Sequence, residues 1–322
     1  MLQSRREVAL EETPLVSIGL PVYNGERHLR RALDCLLAQD YGHFELLISD
    51  NASADGTRKI CEEYAARDPR ITLNVNETNI GIIANFQLVL DRARGKYFMW
   101  AAHDDMWAKT FVGKMVGELE NHADAAVAMS AVERVHEDGT LMDTVRHAGG
   151  ANPNVMSTFR LALALANGTP HHLFVYGLFR TEFLRQAFKD FPRVIAGDRL
   201  MMIQVALSAR FRYVDEVLHT RSINVEPIPV RYKDDDFGKA WHDARAHLKK
   251  DLAIGPYLLR SPLIPWRRKL WIPMLVVWPR LKRLYNRFYR FLYRLSGKIL
   301  GHGGRRKNIA RYLRRLVHMS SR

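Results

Sequence analysis

The chain has 322 residues, of which 47% are hydrophobic and 26% are charged. This is the composition of a globular protein with enough apolar residues to bury a large core in one or two domains. Its two cysteines, Cys35 and Cys61, exclude a disulfide scaffold and favour free thiols in a reducing compartment. No apolar stretch approaches the roughly 20 residues that a membrane-spanning helix needs, and residues 1–14 lack the apolar core of a secretory signal. We therefore expect a cytoplasmic protein.

The formal net charge of +15 is concentrated at one end of the chain. Residues 252–322 contain 18 Lys and Arg side chains and no Asp or Glu, whereas the first 251 residues contain 31 basic and 34 acidic ones. The basic character therefore belongs to the C-terminal tail, and the body of the protein is slightly acidic. Any interaction with nucleic acid or anionic lipid that is inferred from the charge concerns the tail alone.

Up to about residue 130, short apolar runs alternate with segments that have the spacing of amphipathic helices. Apolar runs of strand length lie at residues 15–20, 44–49, 71–75 and 97–102. Segments with helical spacing lie between them, at residues 26–37, 58–66 and 82–93. Strands that alternate with short helices are typical of βαβ units. The pattern thus predicts an α/β fold whose central sheet is mostly parallel and flanked by helices.

A polar loop follows three of the predicted strands. The loops read PVYNGE from residue 21, DNASADGT from residue 50 and HDD from residue 103. Because the carboxyl ends of parallel strands lie at one edge of the sheet, where open α/β sheets bind ligands, we expect the three loops to form one crevice. The chain lacks the sequence motifs of a dinucleotide-binding site, a P-loop and a caged zinc ion.

The predicted crevice is rich in carboxylates. Asp50 and Asp55 follow the second strand, and Asp104 and Asp105 follow the fourth. Oxygen ligands with open coordination positions suit Mg²⁺ or Mn²⁺ held together with substrate phosphates, and two adjacent carboxylates repel each other unless a cation lies nearby. For Asp50, a role as a helix or turn cap is an equal alternative. The crevice therefore favours a phosphate-bearing substrate that is bound without a P-loop.

Three motifs occur in order between residues 21 and 107. They lie in the segments PVYNGERHLRRALDCLLAQDYGHFELLISDNASADGT and NIGIIANFQLVLDRARGKYFMWAAHDDMW. In this order and spacing they resemble glycosyltransferase family 2, with less specific matches to about residue 220. The resemblance implies a GT-A-like fold and an inverting transferase that takes a sugar from a nucleotide diphosphate donor, with UDP or dTDP as the favoured nucleotide. It also implies Mg²⁺ or Mn²⁺ as the cofactor.

The resemblance assigns roles to individual residues of the donor half. The positions that match the nucleotide-sugar loops of the family are Pro21, Tyr23, Asn24, Glu26, Asp50, Asn51, Asp55, Gly81, Asn85, His103 and Asp105. Asp104 matches the metal-binding aspartate of the family's D-x-D-D stretch, and Asp105 would support it. Ala102 stands where that stretch has its first acid, which leaves two carboxylates instead of three.

Inverting sugar transfer needs a general base that takes the proton of the acceptor hydroxyl. Asp198 precedes an apolar helical segment, and its position resembles that of the family's base; the alternative is a helix N-cap. His171 and His172 are candidates for acceptor contacts, with a structural role as the favoured alternative. The late strand that contains His219 and Arg221 resembles one whose cationic or imidazole side chain reaches the diphosphate.

These features predict a division of the chain and a function. We expect an N-terminal extension over residues 1–13, a transferase domain over 14–225 with a nucleotide-sugar half (14–130) and an acceptor half (131–225), and a basic helical region over 226–322. The acceptor would be a glycan or a lipid-linked glycan in cell-surface polysaccharide biosynthesis. The alternatives are a nucleotidyl- or phosphotransferase, and a noncatalytic nucleotide-sugar or nucleic-acid binding protein with a degenerate site.

The basic tail has the pattern of a cationic amphipathic helix. Residues 281–295 combine a broad apolar and aromatic stripe with Lys and Arg at most other positions. This pattern is typical of an interfacial anchor and predicts peripheral binding to the inner face of the cell membrane. Packing of the stripe on the catalytic domain is a close alternative, and nucleic acid is the least favoured partner because the chain has no RNA-binding motif. Prolines between residues 256 and 279 predict no long helix before residue 280.

Overall fold

The computed structural model describes residues 13–146, 154, 156–167, 170–192, 194, 197–223, 244–279, 281 and 285. For residues 170–172 and 244–251 it describes the backbone but not the side chains. The chain divides into unit 1, Met1–Ile272, and unit 2, Pro273–Arg322. Almost all of the predicted N-terminal extension and most of the stripe at 281–295 lie outside the described residues. Both of these, and the domain boundary near residue 225, stay predictions.

The elements alternate in the donor half as the sequence predicts. The strands are β1 (Val16–Val22), β2 (Phe44–Asp50), β3 (Ile71–Val75), β4 (Tyr97–Trp100), β5 (Met106–Trp107), β6 (Ala125–His136), β7 (Leu141–Val145), β8 (Leu178–Arg180) and β9 (Arg210–Ile223). The helices are α1 (Leu29–Leu37), α2 (Thr57–Ala65), α3 (Ile82–Asp91), α4 (Phe111–Asn121), α5 (Thr158–Ala166), α6 (Thr181–Phe188), α7 (Gly197–Ser208), α8 (Ala244–Arg260) and α9 (Trp266–Lys269). A 3₁₀ helix spans Pro170–Tyr176.

The described strands form one sheet in the order β3–β2–β1–β4–β8–β6–β9–β5, with β7 paired to β6. Strands β1 to β4 pair in parallel, with Val22 opposite Asp50 and Gly19 opposite Trp100. β6 and β9 also pair in parallel, whereas β5, β7 and β8 run antiparallel to their neighbours. The predicted α/β fold with a central sheet flanked by helices is confirmed.

The centre of the core lies on β1 and β2, whose residues are all buried. Burial on both faces explains why these strands read as continuous apolar runs and not as alternating patterns. α1 covers one face with Leu33 and Leu36, which are fully buried. On β1, a Cβ atom at Gly19 would lie 2.6 Å from the Phe98 ring and 2.7 Å from Val89. Glycine therefore allows β4 and α3 to pack closely against the central strand.

The first helix begins at Leu29, three residues later than the sequence predicts. Glu26 instead contacts the loop after β2: its backbone N–H donates to Asp55 Oδ2 (3.1 Å), and its carboxylate accepts from Gly56 N–H (2.9 Å). Residues 26–28 form a turn that precedes the helix.

The prediction of no long helix before residue 280 is wrong, because α8 is 17 residues long and contains Pro256. A proline inside a helix removes one backbone hydrogen bond and costs about 3 kcal/mol. Tertiary contacts beside it offset this cost: Tyr257 Oη donates to the Ala187 carbonyl (2.6 Å), and Leu258 is fully buried. Within the described part of the chain, no helix has the length and apolarity that a membrane span would need.

Candidate active site

The loops after β1, β2 and β4 form one pocket, as the sequence predicts. Its empty volume is about 360 Å³, counted out to its open mouth. The residues that line it are Pro21, Val22, Tyr23, Asn51, Ile82, Asn85, Phe86 and His103. They come from all three polar loops and from the start of α3. The structure therefore brings five of the residues predicted for nucleotide-sugar binding to one concave surface.

Asn24, Glu26 and Asp55 join the loop after β1 to the loop after β2. Asn24 Oδ1 accepts from the Ala54 N–H (2.9 Å), and the carboxylates of Glu26 and Asp55 accept from backbone N–H groups of each other's loops. Asn24 has a left-handed backbone conformation (φ 48°), which Asn adopts more readily than most residues. The three side chains thus fix the relative position of the two loops, and their contact with a nucleotide stays a prediction.

Asp50 closes the turn that follows β2. Its side chain is buried, and Oδ1 accepts from the Ser53 backbone N–H (3.2 Å) and from Ser53 Oγ (2.5 Å). Ala52, inside this turn, has φ 59°, which is uncommon for a residue with a Cβ atom. The turn-cap alternative for Asp50 is therefore seen in the structure, and a second role toward the nucleotide stays a prediction.

A network of Asn side chains holds the loop after β3 against the end of β2. Asn51 Oδ1 accepts from Asn76 Nδ2 (3.1 Å), and Asn51 Nδ2 donates to Asn79 Oδ1 (2.8 Å). Asn85 Oδ1 accepts from Asn76 Nδ2 (3.2 Å) and from Ser49 Oγ (2.6 Å). Sequence reasoning identified Asn51 and Asn85 but missed Asn76 and Asn79. The available signal was the density of Asn in the segment NVNETN.

Gly81 ends this loop and begins α3. Its backbone angles, φ 85° and ψ 156°, lie in a region that is essentially restricted to glycine. Its N–H donates to Asn79 Oδ1 (2.9 Å), which ties the helix start to the Asn network. The structure thus gives Gly81 a conformational role beside the pocket.

Asp105 is bound to β9 by both of its carboxylate oxygens. Oδ1 accepts from the Ser222 backbone N–H (3.1 Å), and Oδ2 lies 3.0 Å from Nε2 of His219. The Asp105 and His219 side chains are almost completely buried, and the His219 ring stacks on Trp107 with ring centroids 5.1 Å apart. Asp105 therefore holds β9 against the HDD loop. The metal-binding role expected for Asp104, with Asp105 in support, stays a prediction.

Arg221 interacts with carboxylates from both halves of the chain. Burial alone would lower the pKa of its guanidinium, but Tyr176, Asp105, Asp104 and Asp198 oppose this effect, and the pKa lies above its ordinary value. The guanidinium carbon is 5.8 Å from the centroid of the Tyr176 ring. The carboxylates predicted as metal ligand and as general base thus both favour the charged form of Arg221. Sequence reasoning missed Tyr176: it interpreted the segment HHLFVYG as resembling an acceptor-side strand, whereas residues 170–176 form a 3₁₀ helix.

Asp198 lies in the first turn of α7, where its Oδ1 accepts from the Arg199 backbone N–H (2.7 Å). An N-cap side chain accepts from the N–H two or three residues further on, so this contact with the next residue does not show the capping alternative. The charge of Asp198 favours the charged form of Arg221. His171 and His172 lie in the 3₁₀ helix, and their side chains are outside the described part of the structure. The roles of all three residues toward an acceptor stay predictions.

The residues around Asp104 fit a divalent cation only together with the phosphates of a donor. Among the described residues, no group of three or more His, Cys, Asp or Glu side chains could hold a metal ion by itself. Ala102 contributes no ligand, and Asp105 is engaged with β9. In phosphate-transfer sites, however, Mg²⁺ is commonly held by one or two carboxylates and the substrate's own oxygens. Asp104 is compatible with that mode.

Comparison with solved structures defines the class of the fold. The S. aureus TarS fragment 1–349, solved in complex with UDP-GlcNAc, matches 91% of this chain and 77% of its own length with a TM-score of 0.59 at 19% sequence identity. The same fragment in another crystal structure matches 83% of this chain and 72% of its own length, with a TM-score of 0.58 at 19% identity. The fold is therefore that of a GT-A-like glycosyltransferase.

The family follows from the sequence match. The model of Glycosyl transferase family 2 matches residues 17–188, which is more than half of the chain. The chain belongs to glycosyl transferase family 2. The resemblance seen in the sequence motifs is thereby confirmed.

Curated relatives match 34–42% of the chain. An uncharacterized protein of Mycobacterium tuberculosis H37Rv is 40% identical over 128 residues, which are 39% of this chain and 36% of that protein. TuaG of Bacillus subtilis, provisionally named a teichuronic acid biosynthesis glycosyltransferase, is 33% identical over 135 residues, 42% of this chain and 53% of that protein. EpsE of the same organism is 37% identical over 110 residues, 34% of this chain and 40% of that protein. The chain thus spans about half or less of each relative's length.

Proposed function

We propose that the chain is an inverting glycosyltransferase that moves a sugar from a nucleotide diphosphate donor to a glycan or lipid-linked acceptor in cell-surface polysaccharide biosynthesis. The observation that carries the proposal is the pocket at the carboxyl ends of β1, β2 and β4, which is lined by five of the residues predicted for nucleotide-sugar binding. The charges of Asp104, from the donor half, and Asp198, from the acceptor half, both favour the charged form of Arg221, which supports a single centre where the leaving diphosphate and the attacking hydroxyl meet.

The pocket beside this centre is suited to the nucleoside of the donor. Tyr23 and Phe86 contribute aromatic side chains to its lining, and aromatic faces commonly stack on bases. The structural neighbour TarS is described in complex with UDP-GlcNAc. A uridine or thymidine diphosphate sugar is therefore the donor that we favour, with the sugar directed toward Asp104 and Arg221.

In the proposed mechanism, the two acids and Arg221 have separate roles. Held by Asp104, Mg²⁺ or Mn²⁺ would neutralise charge on the leaving diphosphate. Arg221 supplies a fixed positive charge where negative charge develops. Asp198 accepts the proton of the acceptor hydroxyl while that oxygen attacks the anomeric carbon from the face opposite the diphosphate. The bond to the diphosphate breaks, and the products are a glycoside of inverted configuration and a nucleoside diphosphate.

The acceptor class rests on the relatives. TuaG is provisionally named for teichuronic acid biosynthesis, and this favours a polymeric or lipid-linked glycan acceptor. A lipid-linked acceptor would require the enzyme to work at the inner face of the cell membrane. The strongly basic tail is the part of the chain that we expect to bring it there, because anionic lipids attract nearby Lys and Arg side chains.

One observation favours a second function. Ala102 stands where the family has the first acid of its metal-binding stretch, so a protein that binds a nucleotide sugar without turning it over is the competing proposal. A nucleotidyl- or phosphotransferase using the same crevice would instead release pyrophosphate or transfer phosphate.

A donor screen separates these functions. The full chain would be incubated with a panel of UDP- and dTDP-sugars and Mn²⁺, with a chelator in parallel samples, and released nucleoside diphosphate would be measured. The variant Asp198→Asn would be measured in the same screen. Its matched control is Asp124→Asn, at a 60% exposed carboxylate that pairs with Arg210. We expect metal-dependent nucleoside diphosphate release that the control retains. Donor binding without release from any donor and acceptor would favour the noncatalytic function, and pyrophosphate release would favour a nucleotidyltransferase.

A further inference from the structure

Unit 2 begins with a helix that exposes one apolar face. The described residues 273–279, 281 and 285 are helical. The exposed face, here called the apolar stripe, consists of Met274, Val277, Trp278, Leu281 and Tyr285. Each of these large side chains is 43–54% exposed. Three of the five have no charged or hydrogen-bonding group, and Trp278 has only its indole N–H. Exposure of these four side chains to water is therefore unfavourable.

The spacing of the stripe is that of a single helical face. At about 100° of rotation per residue, its five members fall within an arc of about 100°. Leu275, which points away from this arc, is buried. A surface helix normally turns its apolar face inward and its polar face outward. This helix also presents an apolar face to solvent, which is the arrangement expected of a surface with a binding partner.

The charge of unit 2 identifies the partner. Residues 273–322 contain 14 Lys and Arg side chains and no Asp or Glu. Two copies of so basic a segment would repel each other, which disfavours self-association through the stripe. Nucleic acid would complement the charge, but it offers no apolar region in which Met, Val and Leu side chains could be buried. A bilayer with anionic headgroups complements both properties, because it accepts apolar side chains below the headgroups and attracts cations at its surface.

We propose that the apolar stripe is a docking surface for anionic lipid membranes, with Trp278 and Tyr285 at the headgroup level and the positive charge of unit 2 attracted to the lipid phosphates. The surface begins upstream of the segment 281–295 that the sequence predicts, and it includes three residues outside that segment. The proposal deepens the membrane-face location given under the proposed function, but it does not depend on the sugar-transfer chemistry.

Vesicle sedimentation of the full-length protein tests this surface. The vesicles would contain phosphatidylcholine alone or with about one third phosphatidylglycerol, at low and at physiological salt. Trp278→Glu and Leu281→Glu each place a carboxylate in the stripe, and Leu141→Glu, at a 58% exposed position on β7, is the matched control. We expect wild type to prefer the anionic vesicles. Both stripe variants should bind them at least about tenfold more weakly, because the free energy gained by burying one large apolar side chain corresponds to more than a tenfold change in affinity. The control should bind like wild type.

Several outcomes would overturn the proposal. These are stripe variants that bind as wild type does, a control that loses binding equally, or a wild type that ignores anionic vesicles. The proposal is also overturned if vesicles are not bound and Trp278→Glu instead disrupts a dimer, seen by analytical ultracentrifugation, or disrupts binding to a single-stranded RNA oligonucleotide. Melting curves show whether each variant folds. Release of nucleoside diphosphate with a soluble acceptor is measured in parallel, so failure of the docking surface is distinguishable from failure of the proposed function.

Discussion

Removal of the Asp105 carboxylate is expected to destabilise the fold strongly. In Asp105→Ala, the Ser222 backbone N–H and the His219 ring N–H lose their acceptor, at a place where the Asp105 and His219 side chains are only 2% and 3% exposed. A buried donor without a partner costs about 1–3 kcal/mol, so two of them cost about 2–6 kcal/mol. We therefore expect the free energy of unfolding to fall by about 2–6 kcal/mol.

Urea denaturation followed by circular dichroism measures this loss directly. The matched control is Asp143→Ala, which removes a carboxylate that pairs with Arg134 at the surface, where the Asp143 side chain is 46% exposed. Exposed ion pairs contribute about 0–1 kcal/mol, so the control should unfold nearly like wild type. If Asp105→Ala and Asp143→Ala differ by less than about 1 kcal/mol, the buried contact between Asp105 and β9 does not stabilise the protein and the reasoning is refuted.

Three further predictions concern the metal, a thiol and the core. Asp104→Asn should weaken Mn²⁺-assisted donor binding, because a charged ligand is lost while the fold stays intact; calorimetry with and without Mn²⁺ checks this, and unchanged metal dependence would remove Asp104 from the site. Burial raises the pKa of the Cys61 thiol to about 12, so at pH 8 Ellman's reagent should modify Cys35 and spare Cys61 in the native protein, and equal modification would contradict this. The stability contributed by the neutral Cys61 is full below the unfolded pKa of about 9 and is lost as pH rises toward 12, which urea unfolding at pH 8 and pH 11 would detect. Gly19→Ala should cost about 1–3 kcal/mol, because its Cβ would lie 2.6 Å from the Phe98 ring; a wild-type melting temperature would argue against this packing.

The donor half of the fold could be predicted because its signals are local. β1 and β2 are buried along their whole length, so their apolar runs identify strands without knowledge of their partners. Leu33 and Leu36 repeat at helical spacing because only one face of α1 is buried. Once the strands are parallel, geometry alone places their polar loops at one edge of the sheet. The pocket that contains Tyr23, Asn51 and His103 follows from this topology.

Contacts between distant residues could not be predicted in this way. Asp105 and His219 are separated by 114 positions, and no local pattern marks them as partners. Asn24 and Glu26 match nucleotide-binding positions, yet their side chains bind backbone N–H groups of the next loop, because short polar side chains satisfy the nearest exposed donors. Pro256 reads as a helix breaker, but tertiary contacts of the residues after it outweigh the lost hydrogen bond.

The most direct test of the proposed active centre is a parallel measurement of donor affinity and turnover in Asp198→Asn, Asp124→Asn and wild type. If Asp198 is the base, its replacement should lower turnover by about 100-fold or more, the usual scale for a lost general base, while the donor's dissociation constant stays near that of wild type. Asp124→Asn should match wild type in both quantities. Turnover of Asp198→Asn within a few-fold of wild type, or a loss of donor affinity as large as the loss of turnover, would contradict the assignment of Asp198 as the base.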